Sequence, residues 1–150
     1  MRVAMFEPEI AGNVGAVMRL CACLGARVDL IEPMGFKWGD RRVRRAAMDY
    51  IDHVEVVRHA DFEAFYETLG KGRLVLFTTK ATQSAYDYAY RPDDVLLFGK
   101  ESAGVPGHVV EASDVKVRLP MRAQVRSLNV ATSAAIALAE ALRQTGTLPR

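Results

Sequence analysis

The amino-acid sequence predicts an α/β domain whose parallel sheet is flanked by helices, and three observations carry that expectation. Short apolar runs alternate with stretches of helical periodicity along the chain. Two of those runs, Leu74–Phe77 and Val95–Phe98, are apolar almost throughout, as strands buried on both faces are. Hydrophobic residues make up 50% and charged residues 25% of the 150 positions, which supplies one core and excludes general disorder.

Each element follows from local signals. Arg2–Phe6 alternates and then meets Glu7-Pro8, a strand ending in a loop. From Asn13 to Leu24, Val14, Val17, Met18, Cys21 and Leu24 fall at helical spacing, and Gly25 suits the position just past a helix. Arg27–Ile31 reads as a second strand stopped by Pro33 and Gly35. Phe36–Arg45 is basic and irregular, and Ala46–Tyr50 suits a helical turn. Val54–Val57 is a third strand, and Asp61 can cap a helix running to Leu69 before Gly70. After Leu74–Phe77 and Val95–Phe98 comes a strand at Val115–Leu119. The alanine-rich span from Ser127 to Gln144, closed by Gly146, is the longest helix.

Composition excludes several classes. Twenty Lys+Arg against eighteen Asp+Glu leave a net charge of +2, so bulk charge does not argue for nucleic acid and only local arginine placement can. No apolar run approaches the roughly 18 residues of a membrane span. A carboxylate at Glu7 comes too early for a signal peptide. Two cysteines exclude a disulfide framework. Residues 1–150 are expected to form one cytosolic domain, without linker or repeat.

Common motifs fail. The first strand–helix turn, Glu7-Pro8-Glu9-Ile10-Ala11-Gly12-Asn13-Val14-Gly15, lacks G-x-G-x-x-G, and Gly99-Lys100 is followed by Glu101 where a P-loop needs Ser or Thr. Cys21 and Cys23 lie two apart on a helix and face different ways, and His53, His59 and His108 show no metal-ligand spacing. No metal is assigned. What remains is a set of loops placed just after strands, where open α/β sheets bind ligands.

Those loops are similar to the signature motifs of the trefoil-knotted SPOUT RNA methyltransferases, in the same order. The first is Pro8–Gly15 leading to Arg19, the second Leu97–Pro106, and the third Leu119-Pro120-Met121 followed by Arg126–Val130. Ile31–Phe36 and the stretch from Arg41 through Asp49-Tyr50 resemble the small single-domain members that methylate the wobble ribose of tRNA. The resemblance implies a deep C-terminal trefoil knot, S-adenosylmethionine as cofactor, a ribose 2′-hydroxyl as acceptor and a homodimer. Other tRNA or rRNA riboses, or a non-catalytic RNA-binding module of the same fold, are the alternatives.

Carried over residue by residue, the resemblance implies cofactor contacts at Phe77, Thr78, Gly99, Leu119, Ser127 and Leu128. Gly99 would let the backbone approach the ligand closely, and Leu119 offers an apolar wall. Ser127 also reads as the N-cap of the last helix. Asn13 and Arg19 correspond to catalytic or substrate-positioning residues. Arginine hardly ever loses its proton, so Arg19 is expected to clamp a phosphate or the ribose oxygen. Glu101 would orient the site or pair with Arg19, and Asn129 would hydrogen-bond across the knot.

Lys37-Trp38-Gly39-Asp40-Arg41-Arg42-Val43-Arg44-Arg45 sets five cations against one carboxylate, with a tryptophan beside them. That suits phosphate contact and base stacking on a tRNA anticodon arm. Arg122 and Arg126 would extend this RNA-binding patch, whereas DNA lacks the 2′-hydroxyl and no membrane partner is expected. Small residues Val130, Ala134, Ala137 and Ala141 on the last helix, with Val14, Met18 and Cys21 on the first, are the expected dimer faces.

Overall fold

The computed structural model describes all residues from Met1 to Arg150. Six strands form one sheet: β1 (Arg2–Phe6), β2 (Arg27–Ile31), β3 (Val56–His59), β4 (Leu74–Phe77), β5 (Val95–Phe98) and β6 (Val115–Val117). Their spatial order is β3-β2-β1-β5-β4-β6, and every neighbouring pair is parallel. The helices are α1 (Ala11–Leu24), α2 (Arg41–Ala47), α3 (Phe62–Tyr66), α4 (Gly107–Ala112) and α5 (Val130–Thr145).

Side-chain alternation builds two cores from one sheet. Val3, Met5, Val28, Leu30, Leu96 and Phe98 point to one face, where they meet Val14, Val17 and Met18 of α1 and Ala134, Ala137 and Leu138 of α5. Ala4, Phe6, Ile31, Val95 and Leu97 point to the other, against Phe62 and Phe65 of α3 and Val109 of α4. The central strands are therefore apolar on both sides, as the sequence predicts. No helix is long and apolar enough to cross a membrane.

Several boundaries differ from expectation, each for a local reason. The basic stretch is irregular only as far as Asp40, which accepts a hydrogen bond from the Arg42 amide and starts α2, and α2 packs Val43 and Ala47 into the core. A Cβ on Gly15 would overlap the Val43 carbonyl and Ala46 Cβ, so glycine there lets α1 and α2 approach closely. A 3-10 turn over Met48–His53 follows, and β3 begins two residues later than predicted. Asp61 does cap α3, but Thr68 and Leu69 bond to carbonyls three residues back, and the helix tightens and ends at Tyr66. β6 stops at Val117, and α4 was not anticipated because six residues are too few to show a period.

Dimerisation through the predicted small-residue faces is corrected. Ala134, Ala137, Ala141, Val14, Met18 and Cys21 are all buried within the protomer, where α1 and α5 pack on their own sheet, and Val130 alone of the predicted set is partly exposed. The six buried residues offer no surface to a second copy.

A polar cluster pins β1, β2 and β3. Asp29 is fully buried and accepts hydrogen bonds from Arg2 Nε and Arg27 Nη2 at 2.8 Å each, and its Oδ1 lies 2.7 Å from His59 Nε2. Burial alone would push its carboxyl up, but these three partners outweigh burial and hold it below the ordinary value. A depressed folded-state value contributes stability above the unfolded pKa that is lost as pH falls through the folded one. Asp29→Asn is expected to cost roughly 2–3 kcal/mol near neutral pH, because it removes a buried carboxylate that pairs with the partly buried Arg2 and Arg27. The gap in melting temperature between wild type and variant should narrow below about pH 4. A gap independent of pH would refute the ion-pair account.

Candidate functional site

The strands end on a cleft of about 490 Å³. It opens beyond the carboxyl ends of β4, β5 and β6, where Phe77-Thr78, Gly99–Glu101 and Leu119 leave the sheet. Phe77 and Phe98 face each other in register on β4 and β5, and their rings stack at 4.8 Å between centroids. Leu119, Met121, Leu128 and Val130 add apolar surface, while Thr78, Asn13, Ser127 and Asn129 add polar groups.

Three loops distant in sequence are tied together here. Glu101 accepts from the Glu9 amide at 2.9 Å, from the Ile10 amide at 3.3 Å, and from Asn13 Nδ2 at 3.2 Å. Asn13 Oδ1 in turn accepts from Asn129 Nδ2 at 2.9 Å. Asn129 Oδ1 accepts from the Ala131 and Thr132 amides and so caps α5. The polar chain runs from the second loop through the first to the third. Beside it, Glu9 accepts from the Ser102 hydroxyl and amide, and Lys100 Nζ donates to Glu7 at 2.9 Å. That partner holds the Lys100 ammonium above its usual range.

The α1 N-terminus lacks a side-chain cap and any acidic residue in its first turn. Glu101 supplies a carboxylate there from 91 residues away. Sequence spacing could not reveal this, since the pairing depends on the sheet placing β5 beside β1.

Phe77, Thr78, Gly99, Leu119, Ser127 and Leu128 all line the cleft, as do Asn13 and Glu101. Arg19 does not. It lies exposed on α1, its guanidinium over the Tyr50 ring at 5.2 Å and its Nη1 donating to Met48 Sδ at 3.1 Å. Pairing of Glu101 with Arg19 is therefore replaced by pairing with Glu9, Ile10 and Asn13. Ser127 is not the helix cap; Asn129 is, and Ser127 sits in the cleft wall. Gly99 has a reason within the fold besides the one expected: a Cβ there would meet Gly104 C at 2.5 Å and Cα at 2.6 Å. The glycine allows the close Lys100–Gly104 turn at the edge of the cleft.

Ile10, Thr79, Lys80, Phe98 and Ser133 also line the cleft and were not singled out. Phe98 ends an apolar run and reads as core from sequence; its register with Phe77 is what brings it to the cleft.

Lys37, Arg41, Arg42, Arg44 and Arg45 are exposed, as are Arg122 and Arg126. Arg42 is paired with Asp40 at 2.8 Å, whereas Arg41, Arg44 and Arg45 have no carboxylate partner. Trp38 is covered on one side by the Arg58 guanidinium, 5.3 Å from its ring.

The fold and cleft define a class: a parallel α/β domain with a cleft between loops at the carboxyl ends of its strands. The model of the SpoU rRNA Methylase family matches residues 1–139, and the chain belongs to that family. It is 50% identical over 150 residues to a tRNA (cytidine(34)-2'-O)-methyltransferase of Beijerinckia indica, covering 99% of this chain and 94% of that protein. A solved structure described as "Structural insights into the 2-OH methylation of C/U34 on tRNA" superimposes with a TM-score of 0.92 at 38% identity, covering 95% of this chain and 94% of that one. An AdoMet-bound rRNA methyltransferase from Sinorhizobium meliloti matches with a TM-score of 0.85 at 26% identity, over 95% of this chain and 55% of that one.

Proposed function

We infer that this chain transfers a methyl group from S-adenosylmethionine to the ribose 2′-hydroxyl of the wobble cytidine or uridine of tRNA. The observation that carries the reading is the convergence of the three motif loops on one cleft through Glu101, Asn13 and Asn129. That the relatives named above methylate cytidine 34, or C/U34, supports the substrate.

The cleft fits the cofactor by its chemistry. Its volume lies in the range of small-molecule sites. The stacked Phe77–Phe98 pair and Leu119 offer apolar surface for a purine, and the loops after β4, β5 and β6 present main-chain groups at its edge. When bound, S-adenosylmethionine supplies an already activated methyl group, so the protein's task is alignment. Phe77, Thr78, Gly99, Leu119, Ser127 and Leu128 hold the cofactor. Asn13 and Glu101 fix the three loops relative to one another; both Glu101 oxygens already accept N–H bonds, which suits positioning and not proton abstraction.

Arg19 completes a site only in a homodimer, from the second copy, where its permanent charge clamps a phosphate or the ribose oxygen. The segment after β4 forms the deep trefoil knot, and residues 1–150 act as one domain in the cytoplasm.

The anticodon arm lies along α2, with Lys37, Arg41, Arg42, Arg44 and Arg45, joined by Arg122 and Arg126, on its phosphates. Replacing Arg41, Arg42, Arg44 and Arg45 by alanine should weaken tRNA binding at least tenfold and flatten its salt dependence, by roughly 0.7 in slope for each phosphate no longer neutralised. Donor affinity should not change. Calorimetry at several salt concentrations checks both.

Mass mapping of nucleosides in leucine tRNAs from a deletion strain tests the whole reading. The wobble ribose methyl group should vanish and return with the restored gene. Loss of a base methyl group or of a D-arm ribose methyl group would overturn the substrate assignment.

A further inference from the structure

Among the residues lining the cleft, Lys80, Lys100 and Glu101 carry formal charge. Two of the three are compensated. Lys100 is bound to Glu7 at 2.9 Å, and the Glu101 oxygens are taken by the Glu9 and Ile10 amides and by Asn13. Lys80 belongs to none of the ion pairs, and its ammonium makes no hydrogen bond within the protein. Its backbone, by contrast, is anchored. The Thr78 amide donates to Val117 O at 2.9 Å, the Lys80 amide donates to Thr78 Oγ1 at 3.3 Å, and the Ala81 amide donates to Thr78 O at 3.2 Å. The turn leaving β4 thus delivers one unmatched positive charge to a partly apolar cleft.

An uncompensated cation of this kind is a receptor for an anion. The methyl donor carries a sulfonium, an ammonium and a single carboxylate. Of these three groups a lysine ammonium attracts the carboxylate alone, so it would hold the donor by that group. The geometry points to Lys80 as the residue that binds the carboxylate of the donor's amino-acid end and sets the donor's orientation in the cleft. This rests on the placement of the donor in the cleft proposed above.

The test is calorimetric titration of S-adenosylmethionine and of its decarboxylated analogue into wild-type protein, Lys80→Met and Lys80→Arg. Lys80 is exposed, so Lys80→Met should melt as wild type does. Loss of a charge-assisted hydrogen bond should weaken S-adenosylmethionine binding by about tenfold in Lys80→Met. Wild type should bind the decarboxylated donor more weakly by a similar factor, Lys80→Met should no longer distinguish the two, and Lys80→Arg should restore most of the discrimination. Equal losses for both donors in Lys80→Met, or none, would overturn the assignment. So would a Lys80→Met variant that keeps donor affinity and instead loses salt-dependent tRNA affinity, which would place an RNA phosphate on this lysine. Failure of wild-type protein to bind either donor would instead bring down the cofactor cleft, and this inference with it.

Discussion

Arg19→Ala is expected to lower methyl transfer by roughly a hundredfold or more, the cost of losing a preorganised charge from a reaction centre, while changing S-adenosylmethionine affinity by no more than a few-fold. Within one protomer the residue has no route to the cleft. It stands on the exposed side of α1 against Tyr50 and Met48, whereas Asn13, six positions earlier and on another face of the helix, reaches the polar chain beneath the cleft. An arginine that acts in catalysis from this position must act on the site of a second copy. Mixing two inactive variants makes that specific. Arg19→Ala combined with Gly99→Ala should regain activity, because mixed dimers contain one site with an intact cleft and an intact arginine from the other chain. Activity assays of the separate and mixed proteins, with sedimentation to follow the dimer, check it. Full activity of Arg19→Ala, or a failure of mixed dimers to recover any, would show that the arginine does not serve a partner's cleft.

The fold was legible where periodicity carries it. β1, β2, β4 and β5 begin and end where apolar alternation or apolar runs do, and α1 and α5 end at Gly25 and Gly146, both left-handed in the structure. Legibility failed where a few residues decide. α2 depends on one Asp40 side chain and on Gly15 of another helix, and no window over Phe36–Arg45 contains the second of these. α5 is capped by Asn129 and not Ser127, because Asn129 meets the helix amides while also reaching Asn13. The cleft's lining from the motif loops was visible through resemblance. Its internal wiring was not: Glu101 beneath the α1 N-terminus is a consequence of strand order, which single-sequence patterns leave open.

Gly99→Ala should abolish measurable S-adenosylmethionine binding, a loss of more than about a hundredfold for a site whose closely fitted groups are displaced by an ångström or so, without unfolding the sheet. The added methyl group would stand 2.5–2.9 Å from the C, Cα and O atoms of Gly104, and backbone cannot yield as a flexible side chain does. Lys100 and Gly104 exchange backbone hydrogen bonds of 3.0 and 2.9 Å, so relieving the overlap means opening that turn. Opening it withdraws Glu101 from the Glu9 and Ile10 amides and releases Asn13, and with it the tie to Asn129 and α5. The preceding strand is unaffected, since Val95, Leu96 and Leu97 are fully buried and paired on both sides. Gly12→Ala is the control: a Cβ there meets nothing within 4 Å, and its helical position should gain up to about 1 kcal/mol of stability. Calorimetry and thermal melts of the two variants separate the outcomes. Gly99→Ala should keep a cooperative melt and lose the donor, and Gly12→Ala should melt slightly higher and bind normally. Wild-type donor affinity in Gly99→Ala would mean that the Lys100–Gly104 turn does not organise the cleft.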